Sequence, residues 1–472
     1  MKAANLVSSA KDLFLQQPLL RSFRDVLLVC RPSIVAAITV LALIASTGAA
    51  FAADGALDPT FGRSGKVRTD VNQASSDNAY AVAVQADGKI VVVGTTYTDN
   101  DYSDEDFAIV RYNPNGSLDT TFGVNGIVTT DFPGLAAVPS AVAIQPDGKI
   151  VVAGGAFPLF TFLGNFEIVR YNPDGSLDTS FGNGGIVETN FPAGSYAFAV
   201  GLQSDGKIIA AGTVFVDFQP GESNDTDFAL ARYNPDGSPD TTFGTGGQVT
   251  TNFNGMEDDA YAVLIQTDGK IVAVGSANSF ANYYDFAAAR YLSNGTLDTS
   301  FGTAGKVSLD FGAHNLDIAY SAALQSDGKI VAGGTAGVDQ FGTQFFGVAR
   351  FNANGTLDTR FNRTGKTTID FGNVLQSAYQ VLIQADGKIV TVGSSNGESP
   401  EDDFLLARLT TKGQLDQNFG TGGLVRTSFG PLNDGAQGGA LQSDGKIVAV
   451  GFTARPNSFP DIAVARYLGT SP

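Results

Sequence analysis

Ala79-Tyr-Ala-Val-Ala-Val-Gln-Ala-Asp-Gly-Lys-Ile-Val-Val-Val-Gly94 reads as two strands around a tight turn. Each arm is an apolar, β-branched run, and Asp87-Gly88 supplies the reversal. After a variable loop, Asp106-Phe-Ala-Ile-Val-Arg-Tyr112 reads as a third strand. A second turn holds Leu118-Asp-Thr-Thr-Phe-Gly123, and Gly126-Ile-Val-Thr-Thr-Asp131 reads as a fourth strand. The unit recurs about every sixty residues in seven copies. Its turn lysines are Lys89, Lys149, Lys207, Lys270, Lys329, Lys388 and Lys446. Four strands per unit is the count of one propeller blade. Gln145-Pro-Asp-Gly-Lys149 and Asn172-Pro-Asp-Gly-Ser176 explain the turns. Proline pre-sets φ, Asp tolerates the second corner and Gly takes the positive-φ position. No long stretch after the first fifty residues shows 3.6-residue apolar spacing.

The repeats start and stop in mid-unit. Leu57-Asp-Pro-Thr-Phe-Gly62 and Lys66-Val-Arg-Thr-Asp70 form a fourth-strand segment, and Asp461-Ile-Ala-Val-Ala-Arg-Tyr467 is a third strand. A ring uses that offset, because the early strand completes the last blade and leaves no unpaired edge. The expected fold is all-β. Residues 53–472 form one seven-bladed β-propeller of four-stranded blades, closed by an N-terminal strand completing the last blade.

An arginine and the aspartate eight residues on recur together: Arg111 with Asp119, Arg170 with Asp178, Arg232 with Asp240, Arg290 with Asp298, Arg350 with Asp358, and Arg408 with Asp416. The turn between them centres halfway, so the two side chains face each other across a hairpin and can pair. Arg466 has no such aspartate after it, and ring closure would give it Asp58. Residues that are the same in every blade serve the blade. The arginines, the lysines, the glutamines before them (Gln85 to Gln442) and the phenylalanines from Phe61 to Phe419 are therefore read as structural. The phenylalanines are expected as wedges between blades. Alternating small residues such as Ala81 and Ala83 are expected near the crowded axis.

The recurring Leu-Asp-x-x-Phe-Gly, Gln-x-Asp-Gly-Lys-Ile and Arg-Tyr-Asn segments, over residues 57–467, resemble the delta-60 repeat family of bacterial exported proteins. The resemblance implies repeat architecture and export, and brings no catalytic residues.

Residues 1–52 read as an export signal. Arg21, Arg24 and Arg31 precede the apolar run Ile34 to Ala45, and Ala50-Phe51-Ala52 supplies a cleavage pattern. An uncleaved membrane anchor is the runner-up. The one cysteine, Cys30, lies in this segment, so cleavage after Ala52 leaves no thiol and no disulfide. It also removes five of 29 basic and two of 47 acidic residues, leaving a net charge of −21. Such a surface repels nucleic acid and anionic lipid. The mature chain is expected to be secreted, periplasmic or at the bacterial cell surface, monomeric and without a membrane span.

In a propeller the loops after strand two and from strand four to the next blade share one face. Here those loops vary, while the tight turns of the other face are near copies, and binding residues favour variable loops on a rigid scaffold. The ligand-binding residues expected there are Tyr97, Asp99, Asp101, Tyr102, Phe160, Phe162, Asp225, Asp258, Tyr283, Tyr284 and His314. The cofactor considered is Ca²⁺, through Asp99, Asp101 and Glu105. That loop lacks the glycine and final glutamate of an EF-hand, so solvated acids outweigh a metal site. His314, the single histidine, cannot by itself build a histidine metal site or a relay triad. The leading reading is a non-enzymatic propeller that binds an extracellular glycan, cell-wall component or protein. A glycan hydrolase or lyase with carboxylates at the channel mouth comes second, and a structural surface protein third.

Overall fold

Runs such as Ile90-Val-Val-Val-Gly94 are too short and too β-branched for helix, and they fold as strands. The computed structural model describes residues 53–72, 75–97, 105–158, 164–217, 225–253, 255–279, 284–312, 316–337, 343–372, 375–395, 402–456 and 458–469. The expected export signal, with Cys30, lies outside these residues, as do Asp99, Asp101, Tyr102, Phe160, Phe162, Tyr283 and His314.

Blade one consists of Asn78–Val84, Ile90–Tyr97, Glu105–Tyr112 and Ile127–Thr130, each antiparallel to the next. The same order repeats from the inner strands Leu135–Ile144, Ser195–Leu202, Gly255–Ile265, Ile318–Leu324 and Gln376–Ile383. A single parallel bridge, Thr226 to Glu257, joins the sheets of blades three and four. The seventh sheet takes three strands from the chain's end, Asp434–Leu441, Ile447–Arg455 and Ser458–Tyr467. Its fourth strand is Lys66–Thr69, which runs antiparallel to Ser458–Tyr467 with Lys66 opposite Ala465 and Thr69 opposite Ile462. The described residues thus form an all-β propeller of seven four-stranded blades. They contain no helix, and so none long and apolar enough to cross a membrane.

The core lies between blades rather than inside them. Val151 and Ile168 of blade two cluster with Ala197, Ile208 and Tyr233 of blade three, and Phe181 is wedged among them with no exposed surface. Phe61, Val448 and Val464 of blade seven join Ala79, Ile90 and Tyr112 of blade one in the same way.

One arginine per blade fastens that contact. Arg170 Nε donates to Asp178 Oδ2 at 2.7 Å, its Nη1 donates to the Pro235 carbonyl of the next blade at 2.5 Å, and its guanidinium lies 4.3 Å from the Phe181 ring centre. Arg466 repeats the arrangement across the chain's two ends. Its Nε donates to Asp58 Oδ2 at 2.9 Å, its Nη1 donates to the Pro114 carbonyl, and it covers Phe61 at 4.6 Å. Blade seven has no continuous turn between its third and fourth strands, so Arg408 lacks the usual carbonyl there. Its Nη2 instead donates to Asp54 Oδ2 at 2.9 Å, while Gly420 N donates to the Asp54 carbonyl at 2.8 Å.

Six of the aspartates, Asp58, Asp119, Asp178, Asp240, Asp298 and Asp416, also meet a turn lysine. Lys149 Nζ stands 3.0 Å from Asp178 Oδ2 and is 27% exposed. Because that exposed ammonium only supplements a buried guanidinium, Lys149→Met should cost less than about 1 kcal/mol. A urea melt showing a larger loss would mean that the lysine, not the arginine, holds the aspartate. One turn glutamine reaches sideways: Gln442 Nε2 donates to the Gly88 carbonyl of the neighbouring blade at 3.4 Å.

Candidate functional site

Every inner strand carries a β-bulge at the same point. Its register slips between Ala79 and Ala81, Pro139 and Ala141, Ala197 and Ala199, Ala260 and Ala262, Ala319 and Ser321, Ala378 and Gln380, and Ala436 and Gly438. A bulge needs room on the facing strand, and a glycine provides it in each blade. A Cβ on Gly94 would stand 1.8 Å from the Asn78 carbonyl oxygen, and one on Gly275 as close to that of Asp259.

The extra residues are Tyr80, Ser140, Phe198, Tyr261, Tyr320, Tyr379 and Gln437. They line an axial cavity of about 400 Å³. Ala81 and Ala141 line the same cavity, as expected of small residues near the axis, and Ala81 also packs against the core between blades one and two. Four of the extra residues form a continuous aromatic wall. Ring centres are 4.8 Å apart for Phe198–Tyr261, 5.3 Å for Tyr261–Tyr320 and 5.1 Å for Tyr320–Tyr379. Tyr196 extends the wall at 4.8 Å from Phe198. Its hydroxyl donates to the Val138 carbonyl at 2.7 Å, beside the small Ser140. The Tyr196 hydroxyl reaches to 3.3 Å from Ser140 Oγ, and the wall is open at Gln437, beside Tyr80.

Burial raises the phenols of Tyr80, Tyr261 and Tyr320, the last to about 12, so they stay neutral donors at neutral pH. No Lys, Arg, Asp or Glu is among the described residues that line the cavity. Carboxylates stand just above it, towards the variable-loop face. Tyr261 OH donates to Asp259 Oδ2 at 3.3 Å, and Thr226 Oγ1 donates to Asp259 Oδ1 at 3.3 Å. Burial pushes Asp259 above the usual carboxylate range, and burial with Asp259 and Asp225 does the same to Glu257. Glu105 Oε1 accepts the Tyr97 hydroxyl at 3.0 Å.

Tyr97, Asp225 and Tyr284 stand at strand ends on blades one, three and four. Asp258 does not belong with them. It is fully buried, and its Oδ2 accepts Phe253 N at 2.6 Å. Asp77 accepts Val71 N at 2.7 Å, Asp317 accepts Phe311 N at 2.7 Å, and Gln376 Oε1 accepts Phe371 N at 2.8 Å, so in these blades too the position clips the incoming loop to the inner strand. Burial raises Asp258 and Asp317 to about 7.

Two seams gather three carboxylates each, Asp70–Asp77–Asp461 and Asp285–Asp310–Asp317, with oxygens within 4.8 Å. In the first, Arg68 approaches Asp461 at 3.7 Å and Arg455 pairs with it, which offsets the charge. On the tight-turn face, broader hollows of about 730 and 1060 Å³ are lined by copies of the turn residues, among them Gln85, Gln203 and Lys207.

The chain is similar to several solved structures. A protein of unknown function from Dyadobacter fermentans is 11% identical, covers 88% of this chain and all of its own, and has a TM-score of 0.46. The polysaccharide lyase Uly1 is 12% identical, covers 82% of this chain and 89% of its own, with a TM-score of 0.42. The NanB sialidase of Streptococcus pneumoniae is 10% identical, covers 87% and 71%, with a TM-score of 0.40. No curated protein matches the chain. One family matches it seven times, over residues 85–122, 145–181, 203–243, 266–301, 325–361, 384–419 and 442–469. These matches, one per blade and together more than half the sequence, make the chain a member of the family described as domain of unknown function (DUF5122) beta-propeller.

Proposed function

We propose that this protein is an exported, non-enzymatic binding propeller of the bacterial cell envelope. Its ligand is a surface glycan, a cell-wall component or another protein, held at the loop-face end of the channel. One observation carries the reading. Positions that hold the blades together are near copies, whereas the seven positions aimed at the axis are Tyr, Ser, Phe, Tyr, Tyr, Tyr and Gln. A scaffold needs sameness, and a site needs a particular surface. The delta-60 resemblance and the signal-like residues 1–52 support export.

The test is a binding screen of residues 53–472 against polysaccharides and envelope fractions, with Ca²⁺ or a chelator. Saturable binding should be lost in Tyr320→Ala and kept in Lys149→Met, which alters only the tight-turn face. Equal binding by both variants would overturn the placement. Glu257, Asp259 and Asp225 favour a second reading, since burial raises Asp259, and burial together with the other two acids raises Glu257, as an acid–base pair requires. Depolymerised glycan in the same tubes would put that reading first.

A further inference from the structure

We infer that the axial collar binds an organic ammonium group. This deepens the proposed function by naming the chemistry of the site on the axis.

The argument starts from charge. The described residues that line the cavity offer no cation to meet an anion. The ionisable groups nearest the collar are acidic: Asp259, which receives the Tyr261 hydroxyl, and Glu105, which adds to the upward shift of Tyr80 after burial. An anionic ligand would face carboxylates with nothing to offset them.

The wall supplies the attraction. Aromatic faces carry negative electrostatic potential, and a cation within about 6 Å of a ring centre is held by it, most strongly where water is excluded. Neighbouring rings in the collar are tilted by 42°, 62° and 43°, so no ring face is fully covered by the next. A carboxylate accepting the Tyr261 hydroxyl adds electron density to that ring. The volume, about 400 Å³, lies in the range of small-ligand sites. Gln437, Gln380 and Ser140 provide neutral polar groups.

A mere plug would be built differently. It would repeat one bulky apolar residue seven times and leave no gap. This collar instead uses four tyrosines, whose hydroxyls must each be satisfied, and it stays open beside Tyr80 at Gln437.

The test uses choline and dimethylbutanol, its uncharged carbon isostere, with residues 53–472 at about pH 7. The chain has no tryptophan, so its ultraviolet emission comes from 14 tyrosines, of which Tyr80, Tyr261, Tyr320 and Tyr379 line the collar. Choline should quench that emission saturably, with calorimetry giving the same Kd. The isostere should bind about tenfold or more weakly. Gln437→Tyr puts at the gap the residue that four other blades carry there. It should abolish choline binding while leaving the melting temperature unchanged or higher. Equal affinity for choline and the isostere would overturn the inference, as would intact choline binding in Gln437→Tyr, or no saturation. Envelope polymers are absent from this experiment. Its failure therefore leaves the binding-propeller reading standing, and the failure of the polymer screen leaves this inference standing.

Discussion

Asp58→Ala should lower the stability of residues 53–472 by about 3–5 kcal/mol, since it strands a buried guanidinium. Arg466 is 4% exposed, and Asp58 is its carboxylate, at 2.9 Å from both Nε and Nη2. The other contacts of Arg466 are neutral: Thr60 Oγ1 at 3.1 Å, Gln442 Oε1 at 3.3 Å, the Pro114 carbonyl and the face of Phe61. Lys446 does not replace Asp58, because it is a cation and loses the same partner, which stands 3.6 Å away. Unlike its six counterparts, this pair spans 408 residues of sequence and fixes the strand Lys66–Thr69 to the last blade. Arg466→Met added to Asp58→Ala should recover most of the loss, because the uncompensated charge is then gone. Urea melts of the two variants decide the matter. A loss below about 1 kcal/mol for the single variant would mean that the seam does not depend on this pair.

Glu167→Gln should stabilise the protein by about 3–5 kcal/mol at pH 8 and by almost nothing near pH 4.5. Glu167 is 4% exposed and sits directly opposite Glu188 in the sheet of blade two. The equivalent residues, each paired with the glycine that faces a bulge, are Ala108, Ala229, Ala287, Gly347, Leu405 and Ala463. Burial, and then Glu188, raises the Glu167 carboxyl to about 8. The sign follows from proton counting. Between its ordinary value of 4.5 and about 8, the folded state keeps a proton that the unfolded state has released. Stability contributed by the protonated form is therefore lost as pH rises through that window. Glutamine has the same shape, carries no proton to lose, and can donate to Glu188. Buried Asp258 and Asp317, raised to about 7, give the wild type a slope of the same sign, which Glu167→Gln should reduce without abolishing. Thermal melts from pH 4.5 to 8 measure both. A gain independent of pH would place the effect in packing rather than in ionisation.

The blades were legible because their spacing is rigid. A hairpin turn with Asp-Gly at its corner fixes register, so arginine and aspartate eight residues apart had to meet. The offset between Leu57 and Tyr467 pointed to the pairing of the chain's two end strands for the same reason. The collar was harder to read, because an alternating pattern treats Tyr80, Ala81, Val82 and Ala83 as evenly in and out. A bulge breaks that alternation by one residue, and nothing in a single strand announces it. The signal lies in comparison across blades. Ala-Tyr or Ala-Phe recurs at Ala79-Tyr80, Ala197-Phe198, Ala260-Tyr261, Ala319-Tyr320 and Ala378-Tyr379, always opposite a glycine such as Gly94 inside an otherwise β-branched strand. A glycine in that setting marks a bulge. Asp258 was misplaced because an acid beside Glu257 and Asp259 resembles solvated loop. Its clip to the Phe253 amide depends on a turn that composition does not reveal.

The seam of the seventh blade also sets an order of events during synthesis. Lys66–Thr69 leaves the ribosome long before its partner Ser458–Tyr467. At about 5–20 residues per second, the 408 residues between Asp58 and Arg466 take about 20–80 seconds to make. Throughout that interval the growing chain is an open stack with an unsatisfied edge at its leading end. The circle can be completed only after Ser458–Tyr467 emerges, so a chain carried across a membrane in extended form would cross it before it had ever been a ring.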